Sequence, residues 1–203
     1  INKQTLVKTV LEEVAENKEK YGSSTLGEGK NVVIDYSAPN IAKPFHIGHL
    51  RSTVIGGALY KIYNFLGYNS VGINYLGEWG LQFGKVMSGL ELWKNEYDLE
   101  NDSINSLLKI YVRFNEEEKE KPELTDMARV WFKKLEDGDE YTTKTWEWIR
   151  KVSIDNYNKT YNLLNSKFDS YNGEAYYNDK MDVIVKELEE KGLLQDSQGA
   201  KIV

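Results

Sequence analysis

Val32-Val33-Ile34-Asp35-Tyr36-Ser37-Ala38-Pro39-Asn40-Ile41-Ala42-Lys43-Pro44-Phe45-His46-Ile47-Gly48-His49-Leu50 decides the reading of this chain. It opens as an apolar, β-prone run, passes through a loop that Pro39 and Pro44 keep extended, and enters an amphipathic segment at Leu50. The turn into that segment carries both histidines of the 203-residue sequence. Two histidines scattered at random in such a chain would fall three apart about once in a hundred times, so the spacing is a candidate motif. A strand-to-helix turn is also where α/β folds bind phosphate, because the first N–H groups and the dipole of the helix favour an anion.

Working outward, Leu50, Val54, Ala58, Ile62 and Phe65 form the apolar stripe of a helix, and Gly67 stands where a left-handed cap is expected. Ser70 to Leu76 reads as a second strand. Strand, helix and strand within about 45 residues is the length of a right-handed parallel crossover unit. Upstream, Leu6, Val7, Val10, Leu11 and Val14 predict a helix ending near Tyr21-Gly22, followed by a glycine- and serine-rich connector to Lys30. Downstream the periodicity is helical almost throughout to about Lys167: Ile104, Leu108 and Tyr111 mark one helix, Met127, Val130, Trp131 and Leu135 a second, Ile154, Tyr157, Tyr161 and Leu164 a third. Glu116 to Glu123, with Pro122, reads as a solvated loop without a special role, and Glu136-Asp137-Gly138-Asp139 as a turn. Phe168 to Tyr177 has strand-like aromatic content, Met181, Ile184 and Leu188 form a last helical face ended by Gly192, and a further strand is expected around Ala200.

Composition narrows the function classes. An apolar fraction of 40% and an aromatic fraction of 12% describe a folded chain. A formal net charge of -6 argues against a protein whose main task is coating nucleic acid, although a local basic patch is compatible with it. There is no cysteine, hence no disulfide framework and no thiolate zinc site. No apolar run is long enough to span a membrane, charged residues interrupt the N-terminal apolar positions, and a cytoplasmic location is the default expectation. The start at Ile1 and the stop inside a strand-like run read as a piece cut from a longer protein.

A His-x-Gly-His turn at a helix start suits chemistry at the α-phosphate of a nucleotide. As a carboxylate attacks phosphorus, negative charge grows on the phosphoryl oxygens, and imidazole donors fixed in place stabilise it. Gly48 would let an adenine ring or phosphates approach the backbone, and Lys43 could add a mobile positive charge. On spacing alone, the histidines are equally compatible with surface residues or a helix-capping pair. A metal site lacks an evident third ligand.

The stretch from Val33 to Thr53 closely resembles the first signature of the class I aminoacyl-tRNA synthetases in the form found in arginyl-tRNA synthetases. His46-Ile47-Gly48-His49 is shared across that class, while Ser37-Ala38-Pro39-Asn40-Ile41-Ala42-Lys43 before it and Leu50-Arg51-Ser52-Thr53 after it mark the arginine enzymes. Asn74-Tyr75-Leu76-Gly77-Glu78-Trp79-Gly80, Gln82-Phe83-Gly84, Phe168-Asp169, Gly173-Glu174 and Tyr177-Asn178-Asp179-Lys180-Met181 extend the resemblance over essentially the whole chain. It implies an α/β fold: the first half of a Rossmann-like parallel-sheet nucleotide-binding domain with a large helical insertion. Residues 1–30 would end an N-terminal domain, 31–84 form the first β-α-β unit, 85–167 the insertion, and 168–203 a returning strand, a helix and the start of another strand.

The resemblance also implies roles. His46, Gly48 and His49 would bind ATP, His46 and His49 would stabilise the transition state of adenylate formation, and Lys43 would take over work that a degraded second signature leaves undone. Asp35 would meet the guanidinium of L-arginine, a pairing whose bidentate geometry favours that substrate over lysine. Asn40 would hold the amino acid with the Ala38-Pro39 backbone, and His49 would border both substrates. ATP with Mg2+, L-arginine and tRNA(Arg) are the expected substrates and partners, tRNA mostly through regions outside this chain, and no protein-bound metal is expected. A half-built sheet should favour self-association of the isolated piece. Competing local readings remain: Asp35 capping a turn, Asn40 in an Asx turn, Trp79 packing, Arg51 neutralising the helix. At the level of function the alternatives are another nucleotidyltransferase with the same histidine turn, or a non-catalytic paralogue that binds tRNA or protein.

Overall fold

The structure, a computed structural model, describes residues 2–197 and 200–203. The two apolar runs form strands β1 (Asn31–Asp35) and β2 (Asn69–Ile73), joined by helix α2 (Ile47–Phe65). The strands pair in parallel, from Asn31 opposite Asn69 to Asp35 opposite Ile73, so the expected strand-helix-strand unit is present. Gly67 is left-handed at φ 85°, where it closes α2 as its sequence position indicated.

Before this unit lies α1 (Lys3–Asn17), whose first turn is capped by the Asn2 side chain accepting from the Gln4 and Thr5 N–H groups. None of its residues is buried. After the unit come α3 (Leu81–Trp93), α4 (Ser103–Glu117), α5 (Glu123–Glu136) and α6 (Glu140–Leu163), which form the helical insertion. Their apolar faces make one buried cluster around Met87, Leu107, Ile110, Phe114, Ile149 and Tyr157. The same cluster includes Ile41 and Ala42 from the loop after β1, so the signature loop is packed as part of the insertion's core. Among the described residues no helix is long and apolar enough to cross a membrane.

Three expectations need correction. The stripe assigned to α2 faces outward, with Val54 46%, Ile62 53% and Phe65 42% exposed, while Thr53, Gly56 and Gly57 face the sheet. These small residues let the helix lie against Tyr36 and Ser166, a contact that hydrophobicity does not register. Glu116–Glu123 is not merely a solvated loop: Glu118 pairs with Lys85 at 2.5 Å and accepts from the Thr125 hydroxyl, which ties α4, α3 and α5 together. Residues 168–177 form no strand beyond a single parallel bridge from Ser170 to Ile73, and 174–180 wind into a 3-10 helix. The segment runs alongside β2, where Asn74 donates to the Ser170 carbonyl, but its aromatics pack onto Tyr36 and Tyr161 rather than extending the sheet. The strand expected around Ala200 is present: β4 (Ala200–Ile202) pairs antiparallel with β3 (Gln195–Ser197), after α7 (Met181–Glu190). Of that stretch, Gly199 lies outside the described residues.

A buried ion pair joins the insertion to the segment after β2. Glu78, 3% exposed, meets the Arg150 Nε of α6 at 2.6 Å. The Glu78 carbonyl accepts from the Trp146 indole at 2.9 Å, and Arg150 donates onward to the Tyr171 carbonyl. Burial raises the Glu78 carboxyl above its ordinary value and Arg150 opposes that shift. Replacing Arg150 by methionine should therefore cost about 3 kcal/mol at neutral pH, because it strands a buried carboxylate. A raised folded-state value means that stability is lost as pH climbs through it, so the deficit should shrink toward about pH 3, below the ordinary glutamate value of about 4.3, where Glu78 is protonated in both states. Thermal melts of Arg150→Met across that range test this, and adding Glu78→Gln should recover most of the loss at neutral pH. A pH-independent deficit would contradict it.

Candidate functional site

β1 ends at Asp35, and Tyr36 still donates to the Ile73 carbonyl at 3.0 Å. The chain then turns left-handed at three non-glycine residues, Ser37 (φ 75°), Ala38 (φ 51°) and Ala42 (φ 61°). Each such residue costs roughly 1 kcal/mol, so this loop keeps its shape only because its surroundings impose it. Across the sheet, Ala38 donates to the Asn74 side chain at 3.0 Å. Asn40 bridges Gly77, with Ile41 donating to the Gly77 carbonyl at 3.0 Å and Gly77 to that of Pro39 at 3.2 Å. A Cβ on Gly77 would stand 1.8 Å from the Asn40 Oδ1, so only glycine permits this approach. From α6, Ser153 accepts the Ala42 N–H at 2.9 Å, and the Tyr157 hydroxyl lies 2.6 Å from the Asn40 carbonyl and 2.8 Å from that of Lys43.

The histidines cap α2 reciprocally. His46 is the N-cap residue; its Nδ1 accepts the Gly48 N–H at 3.0 Å, and the Nδ1 of His49 accepts the His46 N–H at 3.3 Å. An imidazole whose Nδ1 accepts a hydrogen bond carries its proton on Nε2 when neutral. Both rings thus present an Nε2–H, and among the described residues no hydrogen bond reaches either Nε2. The rings stack with centroids 3.9 Å apart and planes at 30°. Burial, and secondarily the neighbouring His46, hold the His49 imidazole below its ordinary value, so it is neutral at physiological pH. Gly48 has a local reason: a Cβ there would fall 2.7 Å from the His46 Cε1 and push the ring off its cap. The capping-pair reading of the spacing is thus correct, and it is also what aims both donors outward.

Two recesses flank this turn. A cleft between the loop and α3 is lined by Asn40, Lys43, Trp79, Gln82, Tyr111 and Glu174, among others. Lys43 extends into it, its ammonium 3.5 Å from the Gln82 Oε1 and 4.6 Å from the Tyr111 ring centroid. An open groove on the other side is lined by Asp35, Gly48, Arg51 and Ser52. The structure therefore gathers Asn40 with Lys43, and Asp35 with Gly48, while His46 and His49 stand together at the helix start. Asp35 does not line the cleft with Asn40. Pro39 is fully buried and its carbonyl is engaged by Gly77, whereas Ala38 is exposed. Trp79 packs edge-on against Trp146 and Phe132, as the packing reading anticipated, and also lines the cleft.

Glu174 is the residue to which sequence reading gave no role. Its carboxylate accepts the N–H groups of Glu78 at 3.0 Å and Trp79 at 2.9 Å and brings negative charge to the cleft beside Asn40. The signal was its place in the Gly173-Glu174 match. No group of three or more potential metal ligands occurs among the described residues.

Residues 10–203 match the family model for the catalytic domain of the class I tRNA synthetases of arginine type, "tRNA synthetases class I (R), catalytic domain". The chain is 57% identical over all 203 residues to an arginine–tRNA ligase of Clostridium botulinum (strain Loch Maree, type A3) and 53% identical to one of Alkaliphilus metalliredigens, covering 36% of each. It thus spans about a third of the length of these curated relatives. The crystal structure of Plasmodium falciparum arginyl-tRNA synthetase superposes with a TM-score of 0.67 at 31% identity, covering 88% of this chain and 29% of that one. That of the Thermus thermophilus enzyme superposes with a TM-score of 0.60 at 20% identity, a likeness of fold, covering 88% and 29%. By the family match across nearly its whole length, this chain belongs to the arginine-type class I tRNA synthetases, as part of their catalytic domain.

Proposed function

We propose that the chain forms one part of an arginine–tRNA ligase that activates L-arginine with ATP and transfers it to tRNA(Arg). The observation that carries this reading is the reciprocal histidine cap. It uses up the His46 and Gly48 N–H groups and leaves each imidazole an Nε2–H to offer beyond the start of α2. In the proposed step, a carboxylate oxygen of arginine bonds to the α-phosphorus of ATP, and the bond to the bridging oxygen breaks as pyrophosphate leaves. No covalent enzyme intermediate is involved. His46 and His49 would donate to the phosphoryl oxygens as charge builds there, with their orientation set beforehand by the cap. Gly48 would keep the turn open to the nucleotide.

Asn40 and the Ala38-Pro39 backbone would hold the amino acid, with His49 at the junction of the two substrates. Asp35 would offer a carboxylate to the guanidinium, and Lys43 a cation to the phosphates once it leaves Gln82 and Tyr111. Mg2+ would arrive with the nucleotide. Contacts to tRNA would lie mostly in the remainder of a longer protein, working in the cytoplasm. The exposed Val33 on β1 and the outward Val54, Ile55 and Ile62 of α2 suit coverage by that remainder. In the isolated 203-residue chain the same face would promote self-association.

Pyrophosphate exchange by the full-length protein, with arginine and ATP and with or without cognate tRNA, tests the function. The expected result is arginine-dependent exchange; exchange driven by another amino acid and not by arginine would contradict it. His49→Ala should lower kcat by about 10²–10³-fold and leave KM for arginine far less affected, because its donor counts mainly in the transition state. In the chain itself, imidazole 15N shifts at neutral pH should report both histidines as the Nε2–H tautomer. Gly48→Ala should displace the His46 ring, abolish that signature at His46 and cost about 1 kcal/mol of helix capping in a thermal melt.

A further inference from the structure

α6 carries Ser153, Tyr157 and Tyr161 at four-residue spacing, hence on one face of the helix, and all three are buried to 1% exposure or less. Apolar side chains would fill such core positions without the cost of desolvating a hydroxyl, so three of them in a row call for polar partners. Apart from one contact within α6 itself, the partners belong to, or brace, the left-handed loop. Ser153 accepts from the Ala42 N–H and donates to the Ile149 carbonyl at 2.7 Å. The Tyr157 hydroxyl meets the Asn40 and Lys43 carbonyls. The Tyr161 hydroxyl is 2.8 Å from the Ser37 Oγ and 3.1 Å from the Asn74 Nδ2. Along α6 the contacts thus run from the end of the loop back to its beginning.

The last of these contacts opens a chain of hydroxyls toward the histidines. Thr53 Oγ1 lies 2.9 Å from the Ser37 Oγ and 2.8 Å from the His49 carbonyl. Asn74 accepts from the Ala38 N–H through its Oδ1, so its Nδ2 must donate to Tyr161. Each hydroxyl has one proton: Asn74 donates to Tyr161, the Tyr161 hydroxyl can donate to Ser37, and Thr53 donates to the Ser37 hydroxyl or to the His49 carbonyl. A buried hydrogen-bonded network of this kind restrains the groups it joins.

We propose that Ser153, Tyr157 and Tyr161 are positioning residues for the amino-acid substrate: they hold residues 37–43 in the strained form that presents Asn40, and register that loop against His49. This rests on the reading of the chain as part of an arginine ligase. The helical insertion then acts on specificity without touching substrate, because loosening its hydroxyls loosens the arginine subsite and leaves the cap-held imidazoles in place.

The test uses the full-length protein with Tyr157→Phe and Tyr161→Phe, variants that keep the ring and lose only the hydroxyl. Each should raise KM for arginine about tenfold, the equivalent of one lost buried hydrogen bond, with KM for ATP within about twofold of the parent. Ser37→Ala should show a similar rise and should be non-additive with Tyr161→Phe. Leu135→Ala, in the core of α5, should lower the melting temperature and leave KM for arginine unchanged. Amide hydrogen exchange should be faster across residues 37–43 in the tyrosine variants and unaltered there in Leu135→Ala. If the parent shows no arginine-dependent exchange, the functional reading fails, and the hydrogen-exchange result still decides whether the hydroxyls hold the loop. An unchanged KM for arginine in an active parent, an equal rise in KM for ATP, or unchanged exchange across 37–43 would each overturn the proposal. Should either phenylalanine variant fail to fold, Ser153→Ala gives the same readouts at Ala42.

Discussion

The left-handed loop between β1 and α2 is the constraint on which the rest depends. Ser37, Ala38 and Ala42 each sit in a conformation that their own chemistry disfavours, at a combined cost of about 3 kcal/mol. That cost is borne by the parallel sheet on one side, through Asn74 and Gly77, and by the buried hydroxyls of α6 on the other. Ile41 and Ala42 also belong to the apolar cluster of the helical insertion, so the loop cannot relax without opening that core. The insertion therefore acts as the outer wall of the loop.

From this follows the division of labour at the turn. The loop delivers the chain to His46 in extended conformation, φ -135° and ψ 174°, which is the geometry of an N-cap. Two imidazoles then satisfy the N–H groups that a serine or aspartate would satisfy in an ordinary capping box, and each keeps a second nitrogen to offer outward. A carboxylate or hydroxyl cap would end at the helix. Imidazole, with nitrogens on opposite sides of the ring, passes hydrogen-bonding capacity through to whatever binds beyond, and burial keeps His49 in the neutral form that donates from Nε2 and accepts at Nδ1.

Much of the fold was legible because it rests on apolar periodicity: β1, β2 and the helices from α3 to α7 lie close to where their side chains recur. What escaped has physical causes. The buried face of α2 is Thr53, Gly56 and Gly57, which pack by being small, so the stripe of larger residues pointed to the wrong side. Strand β3 is three residues of polar Gln195, Asp196 and Ser197, without a pattern to read. At the site, Asn40, Lys43, His46 and His49 were singled out by motif, yet the left-handed conformation of Ser37 and Ala38 carries no signature, since neither is a residue that prefers it. Tyr157 and Tyr161 were counted in an apolar stripe; their rings do pack there, while the hydroxyls at their tips do the work that Ser153, one turn earlier, would have hinted at. Glu174 was visible only as part of a matched dipeptide, because its position depends on the Glu78 and Trp79 amides nearly a hundred residues away.

The histidine cap turns the start of α2 into a pair of outward Nε2–H donors beside the left-handed loop. Determining the structure of the full-length protein bound to a non-hydrolysable arginyl-adenylate analogue tests it most directly. The account predicts both Nδ1 atoms still capped by the His46 and Gly48 N–H groups, the Nε2 atoms about 3 Å from the phosphoryl oxygens, and Asn40 in contact with the arginine moiety. Phosphoryl oxygens bound instead by the α2 backbone amides, with the imidazole rings turned away from their caps, would contradict it.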